Sequence, residues 1–112
     1  MTIFRNPVNI AYNFKLLSLD KNTNPTSTLF KTMDFAQPVS IYVEALSEGC
    51  EVEITMTGLI DSTSVTLNGI DATVLAGNHV REISATCINT PDNEPCRLEY
   101  GLSIGDPNTR VE

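Results

Sequence analysis

The sequence predicts an all-β chain: a two-sheet antiparallel β-sandwich, Ig-like or jelly-roll, of about seven or eight short strands. From residue 39 onward apolar and polar residues alternate with period two, as half-buried strands require. Clusters of Gly, Asn, Asp and Pro interrupt that alternation at short intervals, where tight turns belong. No window shows a helical period with caps. At 112 residues, the chain has the size of one domain. We divide it into an N-terminal arm (1–9), a single sandwich domain (10–105) and a C-terminal tail (106–112).

The first third is the least regular. Ile10, Tyr12, Phe14 and Leu16 alternate as a strand. Residues 20–27 form a polar loop containing Pro25, and a further strand is expected within residues 28–35.

The next two strands are clearer. Val39, Ile41, Val43 and Ala45 share one phase, as do Val52, Ile54 and Met56. Ser47, Glu48, Gly49 and Cys50 between them suit a hairpin loop, with Gly49 at positive φ. That hairpin places Ala45 opposite Val52, Val43 opposite Ile54 and Ile41 opposite Met56. A second hairpin is expected at Asn68 and Gly69, the preferred type I′ pair. It pairs Leu67 with Ile70, Val65 with Ala72 and Thr63 with Val74, and makes those six its buried face. The expected core therefore includes Leu67, Ile70, Val65, Ala72, Ile54 and Val43.

Ala76, Gly77 and Asn78 read as another turn. In the strand that follows, Ile83, Ala85 and Cys87 share a face, and Val80 is out of phase with them, which predicts a bulge near Arg81 and Glu82. Residues 89–95 are rich in turn formers. Cys96, Leu98, Tyr100, Leu102 and Ile104 then alternate as the last strand. Cys87 and Cys96 both fall on the inward phase and flank the loop, so they face each other as a disulfide or as two buried thiols. Cys50 stands apart from them.

Charge narrows the function. The net charge is −7, which argues against nucleic acid as a partner. The charge is split along the chain. Residues 1–39 hold Arg5, Lys15, Lys21 and Lys31 against Asp20 and Asp34, while residues 40–112 hold three arginines against twelve acids. Five of the seven aromatics also lie in the first 35 residues. Such asymmetry marks an interaction segment or arises by chance in a short chain. No apolar run is long enough to span a membrane, and the N-terminus does not read as a signal peptide.

No catalytic, cofactor-binding or metal set stands out. His79 is the only histidine and sits beside a predicted turn. Cys50 lacks a partner base, and no Cys-x-x-Cys pair exists for zinc. Neither the stretch from Gly101 to Gly105 nor that from Asp61 to Ser64 has phosphate- or metal-site spacing. One constellation remains. The first hairpin sets Glu44 directly opposite Glu53, with Glu51 and Glu48 nearby. Facing like charges are unfavourable. They call for a compensating cation or basic partner, they could act as an acid–base pair on a glycoside, or they form a solvated acidic face.

Residues 65–77 (VTLNGIDATVLAG) and 81–85 (REISA) resemble the small β-sandwich accessory proteins of tailed-phage virions, the cement or decoration proteins and related tail modules. The resemblance covers residues 36–104. It implies a non-enzymatic structural protein in the virion, made in the host cytoplasm, that binds capsid or other virion subunits as a homo-oligomer, without cofactor, nucleic acid or membrane. The alternative is a carbohydrate- or cell-surface-binding module. The expected protein interface comprises Thr2, Ile3, Phe4, Arg5, Asn6 and Pro7 of the arm with Glu44, Glu51 and Glu53 of the body. The arm would supply apolar anchors and one cation to a neighbouring subunit; otherwise residues 1–9 form an edge strand.

Overall fold

A computed structural model describes residues 14–32, 36–91 and 94–105. The N-terminal arm and the tail lie outside them, as do Ile10 and Tyr12. The described residues contain seven strands: β1 (Lys15–Leu19), β2 (Thr26–Lys31), β3 (Gln37–Ala45), β4 (Glu51–Gly58), β5 (Ser62–Asn68), β6 (Asp71–Asn89) and β7 (Cys96–Ile104). The chain is all-β and every strand pairing is antiparallel. The strands form one sheet in the order β1-β7-β3-β6-β4-β5, with β2 also on β6, and β1 does not meet β5 to close a barrel.

The spine is β6, 19 residues long. Val80 pairs with Gln37 of β3 and with Gly58 of β4, and Glu82 pairs with Lys31 of β2 and Thr57 of β4. So β3 and β2 follow each other along one edge of β6, while β4 occupies the second half of the other edge.

The ends of β6 lie close together. Gly69 N–H donates to Cys50 C=O at 2.8 Å, and Glu51 is paired with Asn89. Through these neighbours Asp71 and Asn89 are no more than about 25 Å apart, whereas a straight strand of this length would separate them by about 60 Å. Thus β6 bends back on itself. The bend coincides with two bulges. Residues 78 and 79 oppose the single residue Pro38, and Arg81 is skipped between Thr57↔Glu82 and Gly58↔Val80. The predicted bulge near Arg81 is present; the turn expected at Ala76, Gly77 and Asn78 is not, because the ladder continues through it. Gly77 sits at the bend, where a Cβ would stand 2.9 Å from Val80 Cγ2 and 3.2 Å from Met56 Sδ.

One face of each strand supplies a single apolar cluster. It takes Val39, Ile41, Val43 and Ala45 from β3, Val52, Ile54 and Met56 from β4, and Ile83, Ala85 and Cys87 from β6. Leu19, Leu29, Leu67, Cys96 and Leu98 complete it from the other strands. The period-two phases of β3 and β4 are therefore as the sequence predicts.

The pairings are not. Both expected hairpins are absent: β3 pairs with β6 and β7, and β4 with β5 and β6. Gly49 and Gly69 do adopt positive φ, 76° and 70°, but each turn sends the chain to a different part of the sheet. Local turn chemistry fixes a reversal, not the neighbour that the next strand chooses. The error propagates through β6. Its register on β3 turns Thr73, Leu75 and Gly77 toward the core and Ala72 and Val74 outward. Ile70 and Ala72 are exposed where the hairpin required burial, because a one-residue change of phase inverts every side chain. Leu67, Ile54 and Val43 are buried, and Val65 packs partly against the core.

The first strand carries apolar residues on both phases. Leu17 opposite Leu98 and Leu19 opposite Cys96 point inward, leaving Phe14 and Leu16 exposed.

Candidate interaction face

The outward side of the β1–β7–β3–β6 half gathers residues that globular proteins usually keep apart. Registers place them in rows. Gly101 is opposite Tyr42, which is opposite Val74. Leu16 is opposite Glu99, Glu99 opposite Glu44, and Glu44 opposite Ala72. Alternation turns all of these away from the core. Phe14, one residue before the Lys15–Tyr100 pair, ends the first row beside Gly101. Because Gly101 has no side chain, the rings of Phe14 and Tyr42 meet across it edge to face, with centroids 5.7 Å apart. Such contacts are favourable beyond their buried area.

Phe14, Leu16 and Val74 remain 52%, 75% and 58% exposed. Between them lie two carboxylates, Glu44 and Glu99, on adjacent strands and directly opposite. Tyr42 O–H donates to Glu44 Oε1 at 3.2 Å. Desolvation, that hydrogen bond, and the charges of Glu44 and Glu99 raise the Tyr42 hydroxyl above its ordinary pKa of 10.0. A neutral tyrosine thus caps one acid of a like-charged pair inside an apolar rim. Chemically, the arrangement suits a cation carried between apolar groups.

The sequence-predicted site residues are only partly assembled. Glu44 does not face Glu53; it faces Glu99 and Ala72, while Glu53 faces Thr66 and Thr86. The cause is the missing β3–β4 hairpin. Glu51 and Glu53 lie on the outward side of β4, in the other half of the sheet, and Glu48 is exposed in the turn after β3. Thr2, Ile3, Phe4, Arg5, Asn6 and Pro7 lie outside the described residues.

Glu99, Leu16 and Val74 were missed. The alternation of the last strand already puts Glu99 outward, but nothing in the pattern says which strand lies beside it.

Cys87 and Cys96 form a disulfide, with Cα atoms 5.9 Å apart. It does not close a hairpin; it ties the second half of β6 to β7, which pairs with β1 and β3. Cys50 is buried and free, its Sγ 3.4 Å from Thr90 Oγ1 and 3.8 Å from Pro95 O. His79 is exposed at the bend of β6, and its carbonyl accepts from Leu59 N–H. Among the described residues no three His, Cys, Asp or Glu side chains gather to hold a metal, and no helix could cross a membrane. No protein-family model matches this chain, and no curated protein matches it in sequence.

Proposed function

We propose that this chain is a non-enzymatic structural protein of a phage virion, a cement or decoration protein that binds neighbouring capsid or other virion subunits. The observation that carries this is the outward face of β1, β7, β3 and β6. Its exposed Phe14, Leu16 and Val74 surround a Tyr42-capped acidic pair. Exposed apolar residues grouped within a polar rim mark protein interfaces. The resemblance of residues 65–77 and 81–85 to phage accessory proteins supplies the virion. In this reading the chain is made in the host cytoplasm and acts in the particle as a homo-oligomer, without nucleic acid, membrane or cofactor.

The fold belongs to the same proposal. The two halves of the sheet, joined by a doubled-back β6, pack face to face as the layers of a β-sandwich. The single apolar cluster, the approach of Gly77 to Met56 and the Cys87–Cys96 bridge between the halves support that arrangement.

The N-terminal arm, with Thr2, Ile3, Phe4, Arg5, Asn6 and Pro7, extends to a neighbouring subunit and presents Arg5 to an acidic surface such as Glu44 with Glu99, or Glu51 with Glu53. Charge attraction of this kind orients assembly more than it tightens it.

A second reading, a carbohydrate- or cell-surface-binding module, is favoured by the Phe14–Tyr42 ring pair beside two carboxylates. One comparison separates them. The purified chain is sedimented with phage capsid shells, and applied to a glycan array. Co-sedimentation without glycan binding supports the first reading. Selective glycan binding without co-sedimentation replaces it with the second.

A further inference from the structure

The thiol of Cys50 is buried beneath the connection from β6 to β7, whose two ends carry the Cys87–Cys96 bridge. Its Sγ–H donates to Thr90 Oγ1 at 3.4 Å and lies 3.8 Å from the Pro95 carbonyl oxygen. Pro91 stands over the neighbouring Gly49, where a Cβ would come within 3.2 Å of Pro91 Cγ. Thr90 and Pro95 are half-buried, and Pro91 and Glu94 are exposed. A thin layer of residues therefore separates the thiol from water.

That layer has two roots. Thr90 follows β6, where Asn89 is opposite Glu51 and Cys87 opposite Val52 of β4. Cys87 N–H also donates to the Pro25 carbonyl at 2.7 Å. Pro95 precedes β7, where Cys96 is opposite Leu19 of β1. Ser47 holds this second root: its hydroxyl donates to the Pro95 carbonyl at 3.5 Å and accepts from Arg97 N–H at 3.1 Å. Among the described residues β6 and β7 are not paired with each other. Besides the chain itself, the roots are joined by the Cys87–Cys96 bridge and by the hydrogen bond from the Thr90 hydroxyl to the Glu94 carbonyl. Cys50 thus lies on a seam, with one wall from each root, and the bridge clamps that seam.

We propose that the Cys87–Cys96 bridge is a redox switch for Cys50: closed, it seals the thiol; reduced, it lets the seam part and Cys50 react with small disulfides. In the first step a dithiol reductant gives two electrons and two protons to the bridge. The bridge becomes two thiols and the reductant becomes a disulfide. Each root then stays with its own strands, Thr90 with β4 and β6, Pro95 with β3 and β7. A thiol is a weak donor, so the contact from Cys50 to Thr90 adds little to hold them together. In the second step Cys50 loses its proton to water. The thiolate attacks one sulfur of a low-molecular-weight disulfide such as oxidised glutathione. A mixed disulfide forms on Cys50, and the other half leaves as a thiolate. The switch stands on these contacts alone and does not rest on the virion reading.

The test is the rate at which dipyridyl disulfide modifies Cys50, read from the released pyridinethione and located by peptide mass. Compared are the native bridged chain, the variant Cys87→Ala with Cys96→Ala, and Met56→Ala. Met56 is a buried residue toward the far end of β4, so its truncation destabilises the fold and keeps the bridge. Each chain is held equally far below its own melting temperature, so that global unfolding contributes alike. The bridge-free chain is labelled at least about tenfold faster than the other two, through local opening. Low urea leaves that rate nearly unchanged, because parting the seam exposes little surface. Equal rates in all three chains overturn the proposal, as does a bridge-free rate that climbs with urea as steeply as global unfolding. Where the bridge-free chain does not fold, the native chain is pulse-alkylated at graded glutathione ratios. Cys50 is then labelled in step with reduction of the bridge, and labelling ahead of it overturns the proposal.

Discussion

Breaking the Cys87–Cys96 bridge should cost this protein a large part of its stability. The bridge closes a loop with a sequence separation of 9. Loop closure of that length restricts the unfolded chain by about 2.5–3 kcal/mol in the chain-entropy treatment. The two sulfurs are also buried, at 3% and 0% exposure, so the reduced protein must accommodate two thiols where one bond fitted. With about 2.1 cal/mol/K of unfolding entropy per residue, a loss of this size lowers the melting temperature of a chain this long by roughly 10 °C. The assay is reversible thermal unfolding of the native chain with and without reductant, beside a Cys87→Ala/Cys96→Ala variant. The variant should be insensitive to reductant and melt near the reduced native chain. A loss below about 1 kcal/mol would show that the bridge constrains little of the unfolded chain. Peptide mapping that found Cys50 bonded to Cys87 or Cys96 would refute the pairing of strands described here.

Further outcomes follow from the same geometry. Leu67→Ala should cost about 2–5 kcal/mol in denaturant unfolding, as buried leucines do, while Ile70→Ala, at a 62% exposed site, should stay within about 0.5 kcal/mol; equal costs would favour the hairpin that the structure replaces. Gly69→Val should destabilise measurably, because φ is +70° there and β-branched residues resist that region; unchanged stability would mean that the turn relaxes. Glu44→Gln should bring the Tyr42 hydroxyl down toward its ordinary value, read by ultraviolet titration, since a negative charge that disfavours tyrosinate is lost. In sign, a raised tyrosine pKa gives stability that is complete below the unfolded value and fades as pH climbs through the folded one. An unmoved titration would contradict the Tyr42–Glu44 contact.

Phases were legible in this sequence and partners were not. The inward set of β3 and β4 follows from period two alone, because each strand buries one face whatever lies beside it. The same holds for Cys87, Cys96 and Leu98, and the positive φ of Gly49 and Gly69 was readable from turn chemistry. Pairing was illegible because β6 is bonded to strands distant in sequence, β2 and β3 on one side and β4 on the other. Two turn residues cannot report that. Glu44 therefore came out opposite an acid other than the expected one. Glu99 replaced Glu53 once β7, and not β4, lay beside β3. Because the other phase of their strand, Leu17 and Leu19, is equally apolar, Phe14 and Leu16 carried no label for which side faces water. Their exposure became visible only when Leu17 and Leu19 were seen to meet Leu98 and Cys96.

The central claim is that the outward face of β1, β7, β3 and β6 meets other virion subunits. Amide hydrogen exchange of the full chain, free and bound to phage capsid shells, tests this most directly. The account predicts that binding slows exchange across β1, the Tyr42–Glu44 segment of β3 and the Glu99–Gly101 segment of β7, with β4 and β5 unchanged. Protection confined to β4 and β5, or none anywhere in the bound chain, would contradict it.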